Sequence, residues 1–245
     1  MTVISVPFFI GDRMGDLLIE GAHEMLEPDL PTGTPQKRMA VLYRHPSDRV
    51  ATADSPVVLA GDCLAPIGVL AGLQRRSIDP TLIWFDAHGD FHTWETTHSG
   101  FLGGMPLAMI VGRGEQTIVE GAGLTPLSED RIVLADARDL DPSEDEAVAC
   151  SGLTVTAVTG LARSVPIEGP IYVHVDVDVV DPGEMPAVNY PAPGGPSLAE
   201  VRTALLHLRS TGRVVAFSAS SWNPDLPSAD RAARATGSLV DLFTA

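Results

Sequence analysis

The sequence is poor in basic residues: 16 Lys and Arg stand against 32 Asp and Glu, giving a formal charge of −16. A surface of that sign repels nucleic-acid backbones and anionic membranes, so neither is an expected partner. It suits a cationic or neutral small substrate, although most acids in such a chain are simply solvated. Cysteine is nearly absent: with only Cys63 and Cys150, no disulfide framework is expected. No apolar run reaches the ~18 residues of a membrane span. Residues 1–7 lack a basic segment followed by a long apolar one, so no signal peptide is read. A soluble cytoplasmic protein is the expectation. Neither an internal repeat nor a low-complexity linker interrupts the 245 residues, 44% of them hydrophobic. That length and composition predict one domain, 1–245, with a sizeable core.

What is present is an alternation of apolar runs and amphipathic stretches. Residues 55–60, 81–86, 131–135, 153–158, 171–176 and 214–219 read as strands, with 2–10 as a first strand and 39–43 as a short second one. Helices are predicted over 65–75, 107–111, 142–149, 198–208 and 229–242. A further helix is predicted with Leu17, Leu18, Ala22, Met25 and Leu26 on one face. Strands alternating with helices imply an α/β fold, a three-layer α/β/α arrangement around a mostly parallel sheet. Two long loops, 87–105 and 182–196, interrupt the alternation, and loops of that length within a domain tend to be functional or disordered.

The acids collect at strand ends. Asp86-Ala87-His88-Gly89-Asp90 closes one apolar run, and Asp176-Val177-Asp178-Val179-Val180-Asp181-Pro182 closes another. Carboxylates crowded in this way repel unless a cation neutralises them, which points to divalent metal. In open parallel sheets, ligands gather at the carboxyl ends of strands. Cys63, Asp86, His88, Asp90, Asp176, Asp178 and Ser221 all fall at or beyond such ends, so a single site is predicted.

These two motifs resemble the arginase/agmatinase (ureohydrolase) family, with its Asp-Ala-His-x-Asp and Asp-x-Asp-x-x-Asp-Pro signatures. Arg138-Asp139-Leu140-Asp141, Gly104-Met105-Pro106 and Asn223-Pro224 are similar to further family signatures. The resemblance implies an arginase-like fold, a small-molecule substrate, and a homo-oligomer, trimer or hexamer. It also implies two manganese ions bridged by a hydroxide that attacks a guanidino or amidino carbon. Asp86 and Asp176 would lie between the ions, Asp90 and Cys63 would complete one, and His88 and Asp178 the other. Two divalent ions ~3.5–4 Å apart make a shared water acidic enough to be a nucleophile at neutral pH. Asp90 would then carry a proton to the departing amine.

The sequence departs from the family pattern at three places. Cys63 stands where the family has a histidine ligand, and a thiolate favours softer ions such as zinc or iron(II). Gly103 stands where the family has a pocket histidine, leaving His92 or His98 of the same loop as stand-ins for acid–base work. Ser221 stands where a glutamate pairs with the guanidinium, and Ser218 where there is an aspartate. Ser99, Gly103 and Ser221 are therefore expected at the substrate pocket, without the charge-assisted fork that would favour arginine. A binuclear-metal hydrolase of a C–N bond in a guanidino, amidino or related substrate is the first expectation. A metal-binding homologue with a binding or regulatory role is the second.

Overall fold

Every residue of Val57–Ala60 and Ile171–Asp176 is buried, and so are all but the first of Thr81–Asp86. Strands of this kind are covered on both faces. They belong to a computed structural model describing residues 2–164 and 168–244. Its first half runs β1 (Thr2–Val6), β2 (Phe8–Phe9), β3 (Asp12–Arg13), β4 (Ala22–Met25), α1 (Pro35–Leu42), α2 (Arg44–Val50), β5 (Val57–Ala60), α3 (Ala65–Arg75), β6 (Thr81–Asp86), α4 (Pro106–Ile110) and α5 (Thr117–Ala122). The second half runs β7 (Ile132–Asp136), α6 (Pro142–Ala149), β8 (Thr154–Thr156), α7 (Leu161–Ser164), β9 (Ile171–Asp176), α8 (Leu198–Ser210), β10 (Val214–Ser220) and α9 (Ala229–Thr244).

Eight strands form one sheet in the order β4-β1-β5-β10-β9-β6-β7-β8, every pair parallel. Alternate side chains feed two cores. Ile4, Leu82, Trp84, Leu134 and Tyr172 meet Met39 of α1, Leu70 of α3 and Ile118 of α5. Val3, Ile83, Phe85, Val173 and Phe217 meet Val201 and Leu205 of α8 and Leu239 of α9. The result is the expected three-layer α/β/α fold. Each fully buried Leu, Ile or Phe contributes roughly 1.5–3 kcal/mol through removal from water.

Helix α3 follows directly on the Cys63 turn, and two glycines seat it. A Cβ on Gly68 would lie 2.5 Å from the carbonyl oxygen of Tyr43, and one on Gly72 would lie 2.7 Å from that of Ser47. Only glycine permits so close an approach to the α2 backbone. Any larger residue would force overpacking.

Three expectations are corrected. The predicted first strand stops at Val6, because Pro7 cannot donate to a ladder, and the chain resumes as the β2–β3 hairpin. The predicted helix through Leu17 to Leu26 is absent. Residues 22–25 instead add the edge strand β4 beside β1, with Val3 opposite His23 and Ser5 opposite Met25. Gly21 at φ +121° sits at the turn into it. The predicted strand over 39–43 is the end of α1: Met39, Leu42 and Tyr43 are buried at helical spacing, whereas Val41 faces outward. A short apolar run does not distinguish a strand from a buried helix, and Pro35 in the first turn is the helix signal that decides it.

Candidate metal centre

The sheet register brings the acids together. Asp86 of β6 pairs with Asp136 of β7, Phe85 pairs with Val175 of β9, and Asp176 pairs with Ser220 of β10. Asp136, Asp86, Asp176 and Ser220 therefore end one row across four neighbouring strands. Cys63 stands just beyond β5, which neighbours β10. Backbone in the left-handed region marks this edge, at Asp90 (φ +49°), Asp136 (φ +96°), Ala137 (φ +54°) and Ser221 (φ +73°). Four such non-glycine residues along one rim signal strain held in place by the surroundings, a pattern common at functional sites.

Within this row, the Nδ1 atom of His88 lies 3.3 Å from Asp86 Oδ1 and 3.2 Å from Asp178 Oδ2. Asp86, His88 and Asp178 each offer one ligand atom within 4.8 Å of the others, which makes them a group that could hold a metal ion. Donors already orient the carboxylates. The Trp84 Nε1 donates to Asp86 Oδ2 at 2.9 Å, and the His88 amide donates to Asp86 Oδ1 at 2.7 Å. The Asp178 amide donates to Asp176 Oδ1 at 3.2 Å, and the Ser221 hydroxyl donates to Asp176 Oδ2. Asp90 differs: its Oδ2 is buried with no partner. An orphaned carboxylate oxygen beside three other acids is a donor set suited to a hard divalent cation. The residues fit the metal expected from the strand-end motifs.

The electrostatics agree. Burial, then the charge of Asp86, raises Asp90 well above the carboxylate range. Burial, then Asp178, Asp86 and Asp90, raises Asp176 likewise. Burial and Asp86 push Asp178 up to about 6. Burial opposes charging of His88, but hydrogen bonding to Asp178 and Asp86 outweighs it and raises His88 to about 12. Without metal, the imidazolium proton is the cation of the site. Cys63 donates its thiol to the Gly103 carbonyl at 3.1 Å, and burial with the charges of Asp90, Asp176, Asp86 and Asp62 raises its pKa. A thiolate there is disfavoured until a cation displaces the proton.

The cluster floors a cavity of about 420 Å³ whose lining includes Cys63, His88, Asp90, Asp176, Asp178, Ser99, Gly103 and Ser221. Asp86 lies beneath it, buried. His92 lines it too, its Nε2 3.1 Å from Asp141 Oδ2. His98 does not line it; its Nε2 lies 3.3 Å from the Ser143 hydroxyl. Other lining residues were not anticipated. Glu144 is buried on α6 and accepts from the Phe91 amide at 2.9 Å, while Phe9, Phe101, Asn189 and Tyr190 form the mouth. Asp62 ties the Cys63 turn to its surroundings, accepting from the Ile10 amide at 2.8 Å, the Leu64 amide at 3.0 Å and the Tyr43 hydroxyl. The acidic helix start at Asp141-Pro142 was a legible signal for Glu144; the aromatic rim, assembled from β2 and separate loops, had none.

Residues 13–244 match the family described as the Arginase family. The chain belongs to the arginase family. An arginase from Bacillus subtilis is 32% identical over 199 residues, 76% of this chain and 67% of the relative. The match to an Eremothecium gossypii arginase spans 48% of that relative's length. An N(omega)-hydroxy-L-arginine amidinohydrolase from Streptomyces lavendulae is 30% identical, covering 88% of this chain and 78% of the relative. A crystal structure of Bacillus subtilis arginase superposes with a TM-score of 0.84 at 27% identity, covering 99% of this chain and 97% of that one. These are hydrolases by name, and the arginase-family fold of this chain is shown.

Of the positions set against the family pattern above, 218 and 221 carry hydroxyls, and Ser220 adds a third beside them. Ser218 lies 2.6 Å from the Tyr172 hydroxyl and 2.8 Å from His174 Nδ1. Ser220 lies 3.4 Å from His174 Nε2 and 3.3 Å from Ser221, which ends the chain on Asp176. Burial lowers His174 to about 3, so its ring is neutral. It is an interior residue of β9, its ring centroid 4.2 Å from that of Trp84 and its plane tilted by 50°.

Proposed function

We propose that the protein is a metal-dependent hydrolase of a C–N bond in a small guanidino, amidino or related molecule. The observation that carries this reading is the partnerless Asp90 Oδ2 among acids whose charged forms are disfavoured without a cation. Asp86 and Asp176 would lie between two ions, with Asp90 and Cys63 holding one and His88 and Asp178 the other. Bound there, two divalent ions supply Lewis acidity and lower the pKa of a water. Manganese follows from the family; the Cys63 sulfur leaves zinc or iron(II) as competitors.

The chain's own groups do the rest. Trp84, the His88 amide and Ser221 fix carboxylate oxygens, so little reorganisation is needed when charge develops. Asp90 would carry a proton to the departing amine, and His92, paired with Asp141, is the second acid–base candidate. Ser99, Gly103 and Ser221 would border the substrate, and Ser221 does not supply the charge-assisted fork that a glutamate there would offer arginine. A homo-oligomer, trimer or hexamer, and a cytoplasmic setting belong to the same proposal.

Metal analysis after reconstitution with manganese, zinc or iron(II) tests it, together with urea release from guanidines and ammonia release from amides. One or more equivalents of metal with turnover of a guanidine or amide is expected. Less than roughly 0.5 equivalent of every metal would sink the reading. Full loading without any turnover would favour a binding role instead.

A further inference from the structure

The mouth of the cavity is an aromatic wall facing an acidic floor. Phe101 and Tyr190 have ring centroids 4.9 Å apart at 46°, and Phe9 and Phe101 are 6.1 Å apart at 29°. All three rings line the same cavity as Asp90, Asp176 and Asp178. Tyr190 is half-exposed at 50%, an open aromatic face rather than a core residue. Gly103 belongs to this wall. A Cβ there would lie 2.4 Å from Cε1 and 2.5 Å from Cζ of Phe101, so the ring occupies the space a side chain at 103 would fill. The glycine is the condition for the Phe101 ring, not merely a missing side chain.

The cavity's acids outnumber its basic groups, of which His88 and His92 are the described ones. Among the described residues, neither Lys nor Arg lines it, whereas Asp139, Asp141 and Glu144 do. Hydroxyl oxygens of the 87–105 loop accept from amides within the loop. Ser99 Oγ accepts from the Phe101 amide at 3.1 Å, and Thr97 Oγ1 accepts from the Gly100 amide at 3.1 Å. A substrate carboxylate would meet these acids and neither an ammonium nor a guanidinium among the described lining residues.

We propose that the site selects a cationic guanidine or amidine bearing an aryl group and no carboxylate, its ring stacked in the Phe9–Phe101–Tyr190 wall. The inference rests on the hydrolase reading above and names its substrate class. Offset and tilted rings at these separations provide a stacking surface, and an apolar wall above acids rewards a molecule that is flat at one end and cationic at the other.

Calorimetric titration of the manganese-loaded protein with methylguanidine, phenylguanidine, 4-guanidinobenzoate and L-arginine tests this. Phenylguanidine is expected to bind at least about tenfold more tightly than methylguanidine, with the two carboxylates weaker than phenylguanidine. Phe101→Leu and Tyr190→Leu should each shrink the phenyl-to-methyl ratio to below about threefold. The second change sits at the exposed mouth and does not depend on core folding. Equal binding of the two guanidines, or 4-guanidinobenzoate or arginine binding as tightly as phenylguanidine, overturns the proposal. Methylguanidine hydrolysis without an aryl preference would leave the hydrolase reading standing and this one fallen. An aryl preference without hydrolysis of any compound would do the reverse. No binding by any of them removes both.

Discussion

Ser221 shows how one residue both loses and gains a role. Its backbone lies in the left-handed region at φ +73°, and its hydroxyl donates to Asp176 Oδ2. It cannot pair with a guanidinium as a glutamate would, but it fixes a carboxylate that would otherwise be free to turn. Hydrogen bonds to a charged acceptor contribute roughly 1.5–3 kcal/mol, and outer groups that orient ligands typically govern metal affinity by about 10–100-fold. Ser221→Ala should therefore weaken manganese binding within that range, measured by competition with a chelating dye. An unchanged dissociation constant would mean that Asp176 is oriented by the Asp178 amide alone. Cys63 is the opposite case, a side chain whose burial keeps its proton. Its sulfur is held on the Gly103 carbonyl until something more electrophilic arrives.

At the scale of elements, the site exists because β5, β10, β9, β6 and β7 are neighbours, although they come from distant parts of the chain. Arg138, just past β7, fastens their ends together. It pairs with Asp136 and donates to the carbonyls of Val179 at 2.9 Å, Asp178 at 3.1 Å, Ala192 at 2.7 Å and Pro193 at 3.2 Å. Gly195 makes room, since a Cβ there would lie 2.6 Å from the Val179 carbonyl oxygen. Arg138→Ala strips four carbonyls and a largely buried carboxylate at once. A loss of about 3 kcal/mol in urea unfolding of the metal-free protein is expected. Arg138→Lys should recover only part of it, because an ammonium lacks the planar fork. An unchanged midpoint in the alanine variant would show that the two loops hold themselves. The central strands and their acidic ends were legible in the sequence because runs such as 171–176 are buried throughout and the acids follow immediately. The edge was not legible, since β4 is decided by pairing with β1 rather than by its own pattern. Nor was the Phe9–Phe101–Tyr190 wall, whose members come from β2 and two separate loops. Arg138 was visible as part of a signature, but its carbonyl clamp needed coordinates.

At the scale of the whole molecule, the acid excess makes the metal a stability element whose weight depends on pH. In the metal-free protein Asp178 titrates near 6, against an unfolded value of about 3.9. Asp90 and Asp176 are raised further. Each is a carboxyl whose folded form keeps a proton that the unfolded chain has released. Folding takes up protons, so stability falls as pH rises through the interval from the unfolded value to the folded one. For Asp178 that interval is ~4 to 6, and the shift corresponds to about 2–3 kcal/mol at most. His88 has the same sign: its raised pKa contributes stability that is complete below the unfolded value near 6.5 and fades as pH climbs towards about 12. Metal held by the proposed ligands would reverse this balance, because carboxylates would bind it deprotonated and His88 neutral, so metal stabilisation would grow with pH. Calorimetric melting of stripped and manganese-loaded protein between about pH 5 and 8 should show the stripped midpoint falling with rising pH while the gap between the two forms widens. A stripped midpoint that rises over this range, or a constant gap, would place the dominant proton uptake outside the Asp86–Asp90 and Asp176–Asp178 cluster. The same measurement on Asp90→Asn separates the two contributions. An amide at this position needs no proton and accepts no second charge, so the stripped variant should melt higher than the stripped native protein at pH 8, and manganese should raise it less.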